Sequence, residues 1–580
     1  MVFKKIVNHI WHYYARTWPF VVSFVLLIGH NCLKAFIIQR ICFTILLAIV
    51  FSPIYLWLRR YRLQILIYAF IVLLFFLERF LVLNFSRTIG PDVFLMMAET
   101  NPVEAGEFVT AFGGTRGSIR CYAECIMVSM MIFVLEVLNR RRKRINIPFS
   151  FKGMVVVCSI ALLLAGTPVV NTWEKLLKFR MTYKFEKWET SEKIKYFDLL
   201  SKLVYSAKGV LLARDEIQLA STVMERFDGE LAFCQSEDSL NVVLVIGESC
   251  ILKHLGIYGY TLDTTPNMQF EKDRGNLFAF DDVISPYCTT TPSIKNLMAC
   301  NSTSHVENWA DFPFFPFIFK KAGYQVFFWD NQKQKDVDRG YTFTLNSFLY
   351  NRNILPVYSQ TNDTCFFYDG DFIDSFLHEF SDMEAGRHNL FMFHLMGQHT
   401  PYRNRFPNDG RFDYFNTDSI RRNEDWMTRK KKQMIAEYDN ATRYHDFVLS
   451  KLFEHFRGTN TVLVYLSDHG EEVFDYRDSF GRKRENGKIT KNVVDYQYRI
   501  PFFIWMTEKY RALYPEKVEA IKRSLHKPFI SDITHNLLLN LANIKTNLYR
   551  EDLDLISDKY NLKKRLLQRK YDCDSILSKE

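Results

Sequence analysis

Five long apolar segments in the first 170 residues limit what this chain can fold into. Each is about long enough to cross a hydrocarbon core of roughly 30 Å as a helix, and they lie near residues 18–37, 41–58, 63–83, 122–138 and 153–170. The mean hydropathy is only -0.10 although 48% of the residues are hydrophobic, because the apolar residues are unevenly distributed. The first segment is expected to be retained, since four more follow it and no small-residue cleavage pattern is evident. The sequence therefore predicts a five-helix transmembrane bundle over residues 1–171.

Basic residues occupy alternate loops between these segments. The clusters precede the first segment, follow the second and follow the fourth: Lys4, Lys5 and Arg16; Arg59, Arg60 and Arg62; Arg140, Arg141, Arg142, Lys143 and Arg144. The positive-inside rule places all three clusters in the cytoplasm, so an odd number of spans leaves everything after residue 170 outside. Much of the formal charge of +10 lies in these clusters. The charge therefore indicates membrane topology, and no nucleic-acid partner is expected.

The remainder of the chain divides into an outward loop, a connecting segment and a folded domain. Apolar periodicity in the loop at 84–120 and in the segment at 172–240 predicts helices at the membrane interface. From residue 241 onward, short β-branched runs alternate with helical stretches such as 434–456; the runs lie at 242–246, 326–329, 390–395, 462–466 and 502–505. This pattern predicts an α/β domain over 241–580 with a mostly parallel sheet and a site beyond the carboxyl ends of its strands.

Two of the predicted strands are followed by residues of types that commonly bind metals in proteins. Glu248 follows the first run, and Asp468 and His469 follow the run at 462–466. Carboxylate and histidine ligands together suit zinc, and an open coordination position would give Lewis-acid catalysis. Either motif alone is equally consistent with an ordinary helix cap or turn.

A threonine loop at 289–291 precedes Pro292 and Ser293. A hydroxyl at a helix start can become a nucleophile when a metal lowers its pKa, and the helix dipole favours a phosphate at that place. The same residue types also form a common N-cap. The loop by itself leaves both interpretations open.

Taken in order behind five apolar segments, these motifs resemble the phosphoethanolamine transferases of Gram-negative lipopolysaccharide, members of the alkaline phosphatase and sulfatase superfamily. The likeness covers Glu248, the threonine loop and the Ser-Asp-His-Gly-Glu stretch at 467–471. It extends to the stretches at 255–260, 394–399 and 437–441. Topology and motifs agree with the family over nearly the whole chain. Several of the short motifs are most similar to those of the branch that modifies the inner core of lipopolysaccharide.

The resemblance implies one catalytic zinc, with room for a second. Its ligands would be Glu248, Asp468, His469 and a threonine hydroxyl. In the family a serine and a hydrophobic residue follow the nucleophile by three and four positions, which Ser293 and the next residue match. This selects Thr290 as the nucleophile, with the two neighbouring threonines as alternatives.

Further residues carry implied roles. His394 and His399 match two histidines that bind the phosphoryl group or a second zinc, and His399 would act as a general acid or base. In the outward loop, Thr100 and Glu104 match residues that touch the donor headgroup, where Glu104 would pair with the ethanolamine ammonium. A disulfide between Cys288 and Cys300, which bracket the threonine loop, is also implied.

The chain departs from the family pattern at two places. Met96 stands where the family often has an asparagine near the donor. Before the last strand, where the family usually has another histidine, the chain has Tyr496 and Gln497 after a polar insertion at 477–492. These departures put the donor contact and the second metal site in question.

The implied reaction moves phosphoethanolamine from phosphatidylethanolamine to a lipopolysaccharide acceptor, either lipid A or an inner-core sugar, through a phospho-threonine intermediate. The enzyme would lie in the Gram-negative inner membrane with its catalytic domain in the periplasm, and the added amine would favour resistance to cationic peptides. The alternatives are a phosphoglycerol transferase or other phosphotransferase or hydrolase of the superfamily, and an inactive membrane receptor or scaffold. A sulfatase is disfavoured, because the threonine loop lacks the proline and arginine of a Cys/Ser-x-Pro-x-Arg motif.

Overall fold

The computed structural model describes residues 16–85, 87–91, 93–94, 97, 102–141, 197–227, 232–303, 308–333, 349–351, 353–380 and 387–579. Contacts divide the chain into two compact units. The first contains Met1–Met97 and Val109–Ala213, and the second contains Ala98–Phe108 and Arg214–Glu580. The predicted fifth span at 153–170 lies outside the described residues.

Seven helices are described before residue 227. They are α1 (Trp18–Ile28), α2 (His30–Lys34), α3 (Ile38–Arg60), α4 (Gln64–Phe85), α5 (Pro102–Phe112), α6 (Arg116–Arg141) and α7 (Leu199–Arg226). By length and composition, α3, α4 and α6 can each cross a membrane, and they cover the predicted second, third and fourth spans.

The predicted first span, at 18–37, is not one continuous helix. It is interrupted at Gly29, between α1 and α2, because glycine is a poor residue for continuing a helix. The 11 residues of α1 extend for about 16 Å, which is shorter than a hydrocarbon core.

A buried ion pair lies inside the first unit. Lys202 at the start of α7 contacts Glu78 of α4, with Nζ 2.6 Å from Oε1, and the two side chains are 0% and 1% exposed. Glu78 also accepts hydrogen bonds from the Asn31 amide at 2.7 Å and the Ile89 backbone N–H at 2.9 Å. Buried charges persist in apolar surroundings when they are paired in this way. The contact therefore fixes the start of α7 to α4 within the first unit.

The second unit is built on a seven-stranded sheet. Its strands in chain order are β1 (Asn241–Gly247), β2 (Leu277–Phe280), β3 (Gln325–Asp330), β4 (Gln360–Thr361), β5 (Asn389–His394), β6 (Thr461–Ser467) and β7 (Phe502–Met506). Their order across the sheet is β2-β7-β6-β1-β5-β3-β4. The five predicted strands are all present.

The sheet is mixed, where the sequence predicted a mostly parallel one. The strands from β6 to β4 pair in parallel, but β7 runs antiparallel to both β6 and β2. Every residue of β7 is buried. A strand covered on both faces shows no alternation, so its direction cannot be read from its composition.

Helices and loops cover both faces of the sheet. In β1, Val242, Leu244 and Ile246 pack into one apolar cluster while Val243 and Val245 pack into another, as the two-residue period of a strand requires. The described α-helices of five or more residues after residue 240 are α8 (Pro266–Asp273), α9 (Thr290–Met298), α10 (Phe315–Lys321), α11 (Asp369–Glu379), α12 (Arg429–Phe456), α13 (Glu508–Leu513), α14 (Pro515–Ser524), α15 (Thr534–Leu541) and α16 (Cys573–Leu577). The predicted α/β domain is therefore confirmed, and α12 contains the predicted helix at 434–456.

Candidate functional site

Two adjacent strands bring the acidic motifs together. β1 and β6 are parallel and in register, with Gly247 opposite Ser467, so the residues that follow them, Glu248 and Asp468, emerge side by side. The Asp468 backbone N–H donates to the Gly247 carbonyl at 2.9 Å, and the Ser249 N–H donates to Asp468 Oδ1 at 3.1 Å. Both acidic side chains are almost completely buried. The ends of the two strands thus place two carboxylates side by side in a buried space.

His469 completes a group of ligand atoms. One ligand atom each from Glu248, Asp468 and His469 lies within 4.8 Å of the other two. The ring Nδ1 of His469 lies 2.8 Å from the Gly470 carbonyl, which fixes Nδ1 as the donor and leaves Nε2 as an acceptor. Nε2 lies 3.1 Å from Asp468 Oδ2 and 3.5 Å from Glu248 Oε1. Three acceptors that face each other in a buried space can together hold a cation.

An unsatisfied oxygen supports a metal at this position. Asp468 Oδ2 is buried and has no hydrogen-bond partner among the described residues. Burial, together with the nearby Glu248 carboxylate, raises the pKa of Asp468 well above its usual value, while burial lowers the pKa of His469 to about 3, with Arg482 adding to the shift. A neutral imidazole and two crowded carboxylates fit zinc.

The structure singles out Thr290 within the threonine loop. Thr290 is the first residue of α9, and Thr289 is its N-cap. Thr290 Oγ1 donates to Glu248 Oε2 at 3.0 Å and lies 3.3 Å from His469 Nε2. A hydroxyl in this position would be a fourth ligand of the same cation.

The two predicted histidines occupy different surroundings. Gly397 has φ +46° and lies so close to Glu248 that an added Cβ would be 2.8 Å from the Glu248 N and O atoms. His399 follows this close contact; its Nδ1 is buried without a hydrogen-bond partner in the described structure, and burial lowers its pKa. His394 instead lies at the end of β5, with Nδ1 2.9 Å from Asp330 Oδ1. The loop therefore brings His399 towards the ligand group, while His394 is held by Asp330.

The predicted donor contacts are only partly described. Thr100 lies outside the described residues, and Glu104 lies in α5, but its side chain is not among those described. In the same helix Glu107 binds Arg405, with Oε2 2.6 Å from Nη2, and it accepts a hydrogen bond from the Asn404 amide at 2.7 Å. Glu107 was not predicted from the sequence, although it lies one helical turn after Glu104.

The predicted disulfide is absent, since Cys288 and Cys300 are both free thiols. The two residues flank α9, whose nine residues give a rise of about 14 Å, whereas bridged Cα atoms lie about 4.4–6.8 Å apart. The Cys300 backbone N–H donates to the Pro313 carbonyl at 2.8 Å. Both thiols are instead part of the apolar core.

Two further residues reach the ligand group without having been predicted. Ser249 has φ +55°, which is uncommon for a residue other than glycine, and its hydroxyl donates to Glu248 Oε1 at 2.7 Å. Arg482, in the polar insertion, donates from Nη1 to His469 Nε2 at 2.8 Å. The sequence signals were the position of Ser249 next to Glu248 and the polarity of the insertion.

The chain is similar to several known proteins. A family model described as Sulfatase matches residues 240–542. The chain is 24% identical over 457 residues to the phosphoethanolamine transferase EptC of Escherichia coli K12. The alignment covers 74% of this chain and 72% of the relative. It is 27% identical over 328 residues to the phosphoethanolamine transferase EptA of Helicobacter pylori, and that alignment covers 55% of this chain and 57% of the relative.

Solved structures share the fold. The C-terminal periplasmic domain of Escherichia coli EptC matches with a TM-score of 0.51 at 25% identity, covering 60% of this chain and 96% of that domain. The integral membrane protein EptA of Neisseria meningitidis matches with a TM-score of 0.56 at 15% identity, covering 93% of this chain and 97% of that protein. The family model spans more than half of the sequence, and the predicted resemblance is confirmed. The chain belongs to the sulfatase family and has phosphoethanolamine transferases among its relatives.

Proposed function

We propose that this chain transfers phosphoethanolamine from phosphatidylethanolamine to lipopolysaccharide, on lipid A or an inner-core sugar, at the outer face of the Gram-negative inner membrane. The observation that carries the proposal is the Thr290 hydroxyl, which lies 3.0 Å from Glu248 and 3.3 Å from His469 at the start of a helix. The names of the relatives support the identity of the transferred group.

Zinc fits the ligand atoms of this site. Glu248, Thr290, Asp468 and His469 would hold it through three oxygens and one nitrogen, a set typical of zinc. A related structure, the periplasmic domain of Escherichia coli EptC, was solved in complex with Zn and matches with a TM-score of 0.50 at 23% identity. When bound, zinc would lower the pKa of a hydroxyl and stabilise negative charge on phosphoryl oxygens.

The reaction follows as two displacements. In the first, Thr290 Oγ forms a bond to phosphorus and gives its proton to the neutral His399, while the bond from phosphorus to the diacylglycerol oxygen breaks. His399 passes that proton to the departing diacylglycerol oxygen. In the second, the acceptor oxygen forms a bond to phosphorus and gives its proton to His399, while the bond from phosphorus to Thr290 Oγ breaks and His399 returns a proton to that oxygen. The phosphoryl group changes partner twice, and no oxidant or nucleotide is consumed.

The apolar helices support lipids as both donor and acceptor. Three described helices are long and apolar enough to cross a membrane. A tethered enzyme searches for lipid substrates in two dimensions. The amine added to the acceptor would reduce the negative charge of the surface and weaken the binding of cationic peptides.

Intact mass spectrometry of the detergent-solubilised, zinc-loaded chain tests the proposal. After incubation with phosphatidylethanolamine, the wild type should gain about 123 Da, the mass of one phosphoethanolamine group held covalently, and Thr290→Ala should gain nothing. Thr289→Ala serves as the matched control and should still form the adduct. An adduct on Thr290→Ala would point to a neighbouring hydroxyl such as that of Ser249.

The same assay separates the other functions. With phosphatidylglycerol as the donor, a phosphoglycerol transferase would gain about 154 Da through the same covalent chemistry. A folded, zinc-loaded protein that gains no mass from either lipid would be a receptor or scaffold, and the proposed function would be wrong.

A further inference from the structure

The polar insertion at 477–492 brings a guanidinium group into the candidate site. Arg482 Nη1 lies 2.8 Å from His469 Nε2, 3.5 Å from Ser249 Oγ and 3.7 Å from Glu248 Oε1. The side chain is 21% exposed, and Glu248 is completely buried. A cation inserted this far among buried ligands costs desolvation energy unless it has a partner there.

The backbone beside Arg482 is held from several sides. The Gly481 N–H donates to the Glu472 carbonyl at 2.8 Å, and Gly481 has φ +83°, which turns the chain towards the site. Arg477 binds both carboxylate oxygens of Glu472 at 2.7 and 2.6 Å. Gln497 donates to Glu472 Oε2 at 3.1 Å and to the Lys483 carbonyl at 2.9 Å. The position of Arg482 is therefore determined by the fold of the insertion.

His469, which accepts the shortest hydrogen bond of Arg482, is also one of the proposed zinc ligands. His469 Nδ1 is committed to the Gly470 carbonyl, so Nε2 has one lone pair to offer. It cannot bind zinc and accept from Arg482 at the same time. With zinc bound, the Arg482 N–H groups need another acceptor at the same place, beside Thr290 Oγ1, which is 3.3 Å from His469 Nε2.

A phosphoryl group attached to Thr290 would supply those acceptors. We propose that Arg482 binds the non-bridging oxygens of the phosphoryl group while it is transferred to and from Thr290. This inference rests on the proposed function and adds a substrate-binding residue to it. During transfer, negative charge spreads over these oxygens, and a planar guanidinium binds two of them at once. Lysine offers a point charge instead of a fork, so it would replace Arg482 only in part.

Two substitutions of Arg482 and a matched control test this role in the full chain. Arg482→Gln removes the charge, and Arg482→Lys keeps it. Arg484→Gln is the control, because Arg484 belongs to the same insertion but donates to Gln568 Oε1 at 2.7 Å and, among the described residues, forms no hydrogen bond with the ligand atoms. The measurements are zinc affinity, binding of inorganic phosphate to the zinc-loaded protein, and the rate of adduct formation from phosphatidylethanolamine.

Arg482→Gln should bind zinc at least as tightly as the wild type, because a competing donor to His469 is gone. Its affinity for phosphate should fall about 10- to 100-fold, and the rate of adduct formation should fall about 100- to 1,000-fold. Arg482→Lys should recover part of both losses, and Arg484→Gln should match the wild type.

Two results would overturn the assignment. If phosphate affinity and adduct rate stay within about twofold of the wild type, Arg482 only fills the metal position in the zinc-free protein. If Arg482→Gln loses zinc, Arg482 holds the ligands in place instead of the phosphoryl group. A wild type that takes no group from phosphatidylethanolamine would contradict the proposed function, whereas the phosphate measurement would still decide the role of Arg482.

Discussion

Gly470, which follows Asp468 and His469 of the candidate metal site, has no room for a side chain. A Cβ at this position would lie 2.1 Å from the Tyr496 carbonyl oxygen and 3.0 Å from its carbon. The Gly470 N–H also donates to the Gln497 carbonyl at 3.1 Å, so the two backbone segments are bonded where they touch. Replacing Gly470 with alanine must therefore push the two segments apart.

The size of the destabilisation follows from the overlap between the added Cβ and the Tyr496 carbonyl oxygen. Ordinary contact between such atoms begins above 3 Å, so their 2.1 Å separation requires a displacement of about 1 Å between the two backbone segments. Overpacking of this kind costs about 1–3 kcal/mol. Gly470 also accepts the hydrogen bond from His469 Nδ1 at 2.8 Å, and loss of such a support costs about 10- to 100-fold in metal affinity. Gly470→Ala should therefore lower both stability and zinc affinity.

The assay compares thermal unfolding and zinc binding of Gly470→Ala with those of Gly458→Ala, both as full-length protein in detergent. Gly458 is the matched control, because a Cβ there meets nothing within 4 Å. We expect Gly458→Ala to match the wild type. Gly470→Ala should lose a few degrees in Tm, at about 2–4 °C per kcal/mol, and should bind zinc at least about 10-fold more weakly. An unchanged Tm together with unchanged zinc affinity would refute the reasoning.

Three more perturbations have defined outcomes. Burial lowers the pKa of His254, but the carboxylates of Asp439 and Asp475 outweigh burial and raise this pKa to about 10 from 6.5. The stability that this pairing contributes is complete below pH 6.5 and is lost as the pH rises through about 10. The fall in Tm between pH 8 and 11 should therefore be smaller in His254→Gln than in the wild type. Removal of zinc by a chelator should lower Tm and be accompanied by proton uptake, measured in weakly buffered solution, because the buried carboxylates lose their cation; an unchanged Tm would argue against a structural contribution from the metal. Leu244→Ala, in the buried centre of β1, should cost about 2–5 kcal/mol in chemical unfolding, and a cost below about 1 kcal/mol would mean that β1 is not in the core.

Local signals allowed much of the fold and of the candidate site to be predicted from the sequence. Strands such as β1 and β6 are runs of β-branched and apolar residues, and α12 has regular apolar spacing, so each element is encoded within its own segment. Glu248 and Asp468 could be placed together because parallel strands end at the same edge of a sheet. The prediction needed only the two runs and the residues that follow them.

Features set by distant contacts could not be predicted in this way. The direction of β7 depends on its neighbours and not on its composition. Arg482 reaches His469 from an insertion that contacts with Glu472 and Gln497 hold in place, and such contacts leave no periodic pattern in the sequence. The free thiols of Cys288 and Cys300 lie on either side of a nine-residue helix, so their separation depends on the folded conformation and not on their spacing in the sequence. Each of these features is a property of the assembled domain.

The pairing of β1 with β6 also limits when the site can form during synthesis, because the two strands lie far apart in the chain. Ser249 and Asp468, which hydrogen-bond across these strands, are 219 residues apart in the chain. At about 5–20 residues per second, roughly 10–45 s pass between synthesis of the first half of the site and the second. During that interval Glu248 has neither its histidine nor its paired aspartate. A chain that ends early cannot assemble the ligand group, so retention of zinc would distinguish completed molecules from truncated ones.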